Sequence, residues 1–133
     1  MPLTDFFVGT DADAAKVANG VPKSFPRHES KDVFDVPLAK LAKMLKAGKD
    51  GLEPGEPAHH GDEFEWYVGT LTKKLTAALA ALSEADVKKH GAALAKIEEL
   101  GWSEKDGRTL VAALRDLAKK TDAKKRLYVR VCL

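Results

Sequence analysis

His59, His60, Asp62 and Glu63 form the one tight cluster of metal-ligand residue types in this 133-residue chain. Imidazoles and carboxylates so grouped can hold a divalent cation or relay a proton. Adjacent histidines rarely aim at one ion, however, and the spacing matches neither a helical His-x-x-x-His pair nor a zinc finger. The four are read as solvated loop residues, and no metal or cofactor is expected. His90 lies three residues after Val87 and four before Leu94, on an apolar helical stripe. A histidine there could serve as an acid–base group; the simpler reading is a core-edge ring, with Gly91 beside it marking a close helix contact. Cys132 is the only cysteine. It would be a nucleophile only beside a base, and in a strand it reads as a packing residue. The glycines form neither Gly-x-Gly-x-x-Gly nor Gly-x-x-x-x-Gly-Lys-Ser/Thr, so neither common phosphate loop is present.

Two further groups could bind rather than react. Lys119, Lys120, Lys124, Lys125 and Arg126, with Arg130 following, are a candidate nucleic-acid footprint. Only Tyr128 interleaves them, and lysines also suit the last turn of a helix or the edge of a sheet. Trp66, Tyr67 and Trp102 are the large amphipathic side chains. Trp66 shares a strand face with Phe64 and Val68 and is read as core. Trp102, just past a helix-ending glycine, is the candidate hot spot for a protein partner. The partner-binding set is therefore Glu56, His59, His60, Asp62 and Trp102.

Charge is unevenly distributed. The net charge is +2, yet residues 1–66 carry twelve acidic and eight basic side chains, and residues 67–133 carry eight and fourteen. Such blocks can steer a charged partner, or can face each other across the fold.

These residues must be positioned by an α+β arrangement. Asp5-Phe6-Phe7-Val8-Gly9-Thr10 reads as a first strand, and Arg126 to Leu133 as a last one, with Leu127, Val129 and Val131 alternating against Tyr128, Arg130 and Cys132. Thr10-x-x-Asp13, Ser83-x-x-Asp86 and Ser103-x-x-Asp106 are helix starts of the capping-box type. Asn19-Gly20 ends the first short helix. Residues 21–34 read as an ordered loop anchored by Phe25 and Phe34. Asp35 and Pro37 open a helix with Leu38, Leu41, Ala42 and Leu45 on one face, ended by Gly48. Residues 48–62 hold four glycines and two prolines in fifteen residues, which predicts a surface loop. Glu63 to Val68 alternates as a strand. Leu71, Leu75, Ala78, Leu79 and Leu82 then form a helical stripe behind a Thr70 cap. The expectation is one domain over 1–133: a small two- or three-stranded sheet including both chain termini, packed by about five helices.

The Asp-Phe-Phe-Val start and the closing Leu-Tyr-Val-Arg-Val-Cys-Leu, with leucine- and alanine-rich helices between, resemble small uncharacterised bacterial proteins. The resemblance covers about two-thirds of the chain. It implies a shared fold and a bacterial origin, and no activity or functional residue.

Hydrophobic and charged fractions of 44% and 32% are those of an ordinary globular protein. No apolar run approaches the ~18 residues that span a bilayer. The first twenty residues contain Asp5, Asp11 and Asp13 rather than a basic-then-apolar leader. A cytoplasmic protein without membrane contact is expected. The leading function is a non-enzymatic module, of accessory or immunity type, that binds another protein. One alternative is a small enzyme with a histidine-bearing cleft beside the 48–62 loop, using His59, His60 or His90. The other is a nucleic-acid accessory protein using the C-terminal basic cluster.

Overall fold

A computed structural model describes residues 3–31, 35–48, 51–54, 57–63, 65–97 and 100–132. Its elements run β1 (Leu3–Gly9), α1 (Asp11–Ala14), β2 (Arg27–Lys31), α2 (Asp35–Met44), β3 (His59–His60), β4 (Trp66–Thr70), α3 (Lys73–Ala80), α4 (Glu84–Ala95), α5 (Glu104–Ala118) and β5 (Arg126–Cys132). The class is α+β, but the sheet is larger than the sequence led us to expect. Among the described residues it has five strands, not two or three, in the order β2-β1-β5-β4-β3, with every neighbouring pair antiparallel. The two extra strands are β2, inside the segment read as loop, and β3, inside the 48–62 stretch.

β5 occupies the centre of the sheet, between β1 and β4. Successive strand residues face opposite sides, and here both sides are covered. Phe6, Val8, Leu127, Val129 and Val131 pack against the main helices, in a cluster with Leu38, Leu75, Leu94 and Leu114. On the outer side, Phe7, Val68 and Tyr128 pack against Ala14, Val17 and Val21 from α1 and the segment after it. Tyr128 and Arg130, which the alternation placed on the polar side of the last strand, are both buried. The Phe7 ring lies 5.3 Å from Tyr128 and 6.2 Å from Phe25, so Phe25 does anchor the covering segment. Phe34 and Phe64 lie outside the described residues.

Local chemistry sets the helix starts. The Thr10, Ser83 and Ser103 side chains each accept from the backbone N–H three residues on, and Asp13, Asp86 and Asp106 each accept from the cap's own N–H. The cap of α3 is Thr72, not Thr70. Thr70 belongs to β4, and Leu71 is still held by its N–H bond to the Leu127 carbonyl. The hairpin of α4 and α5 closes on two glycines. A Cβ on Gly91 would stand 2.6 Å from the Arg108 nitrogen, and one on Gly107 would collide with the Gly91 carbonyl. Among the described residues, no helix is long and apolar enough to cross a membrane.

Candidate functional site

The residues singled out from the sequence fall at opposite edges of the sheet. His59 pairs with Val68 and His60 with Tyr67 at the β3 edge. As consecutive strand residues they point to opposite sides and do not converge. His59 Nε2 lies 3.2 Å from Asp11 Oδ1, tying this edge to α1, while His60 Nδ1 lies 2.8 Å from the Gly61 carbonyl oxygen. Asp62 is exposed in the following turn. Glu56 lies outside the described residues. No group of three or more His, Cys, Asp or Glu side chains suited to a metal occurs among the described residues. Trp102 sits far from this set, against the β2 edge.

The basic cluster divides in the same way. Lys119, Lys120, Lys124 and Lys125 are exposed around the turn from α5 to β5, where Asp122 Oδ1 accepts from the Lys124 and Lys125 amides at 2.8 Å. Arg126 is held down: Nη2 donates to Glu53 Oε1 at 3.0 Å and to the Leu71 carbonyl at 2.9 Å. At this point an acidic-half residue and a basic-half residue meet across the fold. Arg130 is buried on the outer face, with its guanidinium carbon 5.9 Å from the Trp66 ring centroid. His90 is buried beside the Gly91 contact. Burial holds its pKa below the usual histidine range, with Asp86 opposing that shift and Lys89 adding to it. Cys132 is half-buried opposite Trp66, with its thiol free.

A groove of about 470 Å³ lies between β2 and the start of α5. That volume falls within the range of ligand pockets, about 300–1,000 Å³. Its construction follows from three local features. Gly101, at φ 62°, adopts the left-handed conformation that favours glycine and turns the chain between α4 and α5. The residues flanking this glycine, Leu100 and Trp102, line the groove together with Leu110 from α5. Ser103 then starts α5, its Oγ accepting from Asp106 N at 3.2 Å while Asp106 Oδ2 accepts from Ser103 N at 3.1 Å. The Asp106 carboxylate, although it lines the groove, is thus already engaged as a cap.

β2 forms the opposite wall. His28 and Ser30 pair with Phe6 and Thr4, so they share the helix-facing side and border the groove. His28 is half-buried, and its pKa is lowered by that burial, against the opposing pull of Glu29. Its ring is therefore neutral near pH 7. Arg27 and Glu29 lie on the outer side, joined by an Arg27 Nη1 to Glu29 Oε1 hydrogen bond of 2.7 Å. His28 drew no attention in the sequence, because Arg-His-Glu-Ser-Lys has no apolar alternation to announce a strand. The only signal was its place eight residues after a glycine and just past Pro26 in a segment otherwise read as loop. No family model, curated protein or solved structure matches the chain.

Proposed function

We propose that this chain is a non-enzymatic cytoplasmic module of accessory or immunity type that captures another protein. The observation that carries the reading is the groove at the β2 edge. Its apolar lining of Trp102, Leu100 and Leu110 is bordered by polar and charged groups, the composition of an interface hot spot. Tryptophan at the centre of such a patch is the residue type whose truncation most weakens protein complexes. The chemistry around it favours binding over catalysis. Asp106 is committed to its cap, His59 and His60 diverge, and His90 is packed in the α4–α5 contact. The nucleic-acid alternative loses Arg126 and Arg130 to intramolecular partners.

The test is capture from cells that express the protein, with the tagged intact chain and its Trp102→Ala variant used in parallel at low salt. Thermal unfolding must first show that the variant folds. One stoichiometric protein retained by the wild type and lost from the variant supports the reading. Equal retention by both removes the groove as the binding surface, and no retained protein overturns the reading. If affinity for the captured protein is unchanged up to about 0.5 M NaCl, charge makes no contribution to it.

A further inference from the structure

The backbone of β2 carries a second, independent feature. The Val8 N–H bonds to the Pro26 carbonyl at 3.0 Å, and the register pairs Phe6 with His28 and Thr4 with Ser30. Hydrogen-bonded and non-hydrogen-bonded pairs alternate along an antiparallel ladder. His28 and Ser30 therefore direct their N–H and C=O groups inward to β1. Arg27, Glu29 and Lys31 direct theirs away from it, to the side where, among the described residues, the sheet has no further strand. The open edge and the groove lie side by side, on alternate residues of one strand.

We propose that β2 accepts an extended segment of a partner protein as a sixth, antiparallel strand. This rests on the protein-binding reading and names the form of its ligand. Residues of the incoming segment opposite Arg27 and Glu29 would lie on the outer side, where an acid complements Arg27 and a base complements Glu29. Residues opposite His28 and Ser30 would lie on the helix side, over the groove, where Trp102, Leu100 and Leu110 select apolar side chains. Read from its N-terminus, the segment is apolar–basic–apolar–acidic. A second copy of this chain fits less well, because its own β2 would offer the groove only His28 and Ser30. In the register that sets Arg27 opposite Glu29, it would also set His28 opposite His28.

The probe is a synthetic Thr-Val-Lys-Val-Glu-Thr peptide added to the intact chain. Binding with a Kd below about 1 mM is expected, with the Arg27, Glu29 and Lys31 amides slowed in hydrogen exchange. Methylating the peptide nitrogens of Lys and Glu removes the bonds that face β2 and should weaken binding by about tenfold or more. Methylating a Val nitrogen, which faces away, should cost far less. Trp102→Ala should weaken binding by about tenfold. Glu29→Lys, an exposed substitution that leaves the core untouched, should weaken the peptide by about threefold and favour the version with Lys and Glu exchanged. Absence of saturable binding, protection elsewhere, or indifference to Lys methylation overturns the proposal. So does a concentration-dependent dimer protected at the same three amides. If a captured cellular partner protects another surface, the strand-addition proposal fails while the protein-binding reading stands.

Discussion

Arg130 reaches across the outer face of the sheet and donates from Nε to the carbonyl oxygen of Val17 at 2.7 Å, 113 residues away in sequence. Its Nη2 donates to the next carbonyl, that of Ala18, at 3.0 Å. These carbonyls follow a four-residue helix and lie outside any strand; Val17 O also accepts from the Gly20 N–H at 3.1 Å, and the guanidinium adds a second donor there and one for Ala18. The Asp5 carboxylate, 3.9 Å from Nη1, offsets the charge at longer range. One guanidinium thereby fastens the covering segment onto the central strand.

The two members of this pair should respond unequally to removal. Arg130→Ala removes the donor to the Ala18 carbonyl, leaves Val17 O with only its Gly20 bond and leaves Asp5 without its counter-charge, for an expected loss of about 2–3 kcal/mol. Burial, followed by Glu29, raises the Asp5 pKa, with Arg130 and Arg27 acting in the other direction. The folded state thus prefers the neutral acid, and ionised Asp5 detracts from stability at pH 7. Asp5→Asn should be neutral or mildly stabilising. Urea midpoints of both variants at pH 7 decide the matter, and equal losses would sink this account.

Gly107→Ala presents a conflict between local and tertiary terms. In a free helix, alanine is favoured over glycine by about 1 kcal/mol. Here the added methyl meets the Gly91 carbonyl, which belongs to a neighbouring helix backbone and cannot rotate aside. Overpacking of this kind typically costs about 1–3 kcal/mol. A net destabilisation is expected in chemical denaturation, and a stabilised variant would show that the two helices can separate freely.

Thr4 allows a substitution in the favourable direction. It is buried in β1, and its Oγ1 has no hydrogen-bond partner among the described residues. Valine keeps the shape and removes the stranded hydroxyl, so Thr4→Val should gain about 1 kcal/mol. A measured loss of stability would indicate that the hydroxyl finds a bonding partner in solution.

The helix starts at Thr10, Ser83 and Ser103 were legible because each motif is complete within four residues. The strands at the edges were not. β2 has no apolar period because the side that would bury apolar residues borders an open groove, leaving His28 and Ser30 there. β3 consists of two histidines in a glycine- and proline-rich stretch, and only its pairing with Val68 and Tyr67 makes it a strand. Thr70 and Thr72 are equivalent as sequence signals. The Leu71–Leu127 hydrogen bond decides between them, and that bond is a long-range fact. The same limit applies to the site. Trp102 could be singled out as an amphipathic side chain after a helix stop, but its neighbour His28 arrives from a strand with no local signature.

Acid should weaken the fold through the caps. The Thr10 backbone N–H and hydroxyl lower the Asp13 pKa, and those of Ser83 lower that of Asp86. Folded values below unfolded ones mean that the stabilisation is complete above the ordinary value of 3.8 and is lost as pH falls below it toward the folded values. Asp13→Asn with Asp86→Asn should lower stability at pH 7 and flatten its decline below pH 3.8. An unchanged acid limb in thermal melts would argue against this assignment.

A second pH dependence arises near neutrality and bears on the groove. Burial lowers the pKa of both His28 and His90 below the ordinary 6.5. The unfolded chain then binds more protons than the folded one in that range, so stability should fall as pH drops through 6.5 toward the folded values. His28→Asn and His90→Asn should each reduce this slope, apart from any loss of packing. Only His28 borders the groove, so only its protonation places a positive charge beside Trp102 and Leu110. Affinity for an apolar segment should therefore decline over the same interval in wild type and in His90→Asn, but not in His28→Asn. Titrations of the peptide at pH 7.5 and at successively lower pH separate the two histidines. An identical decline in all three proteins would place the responsible proton outside the groove.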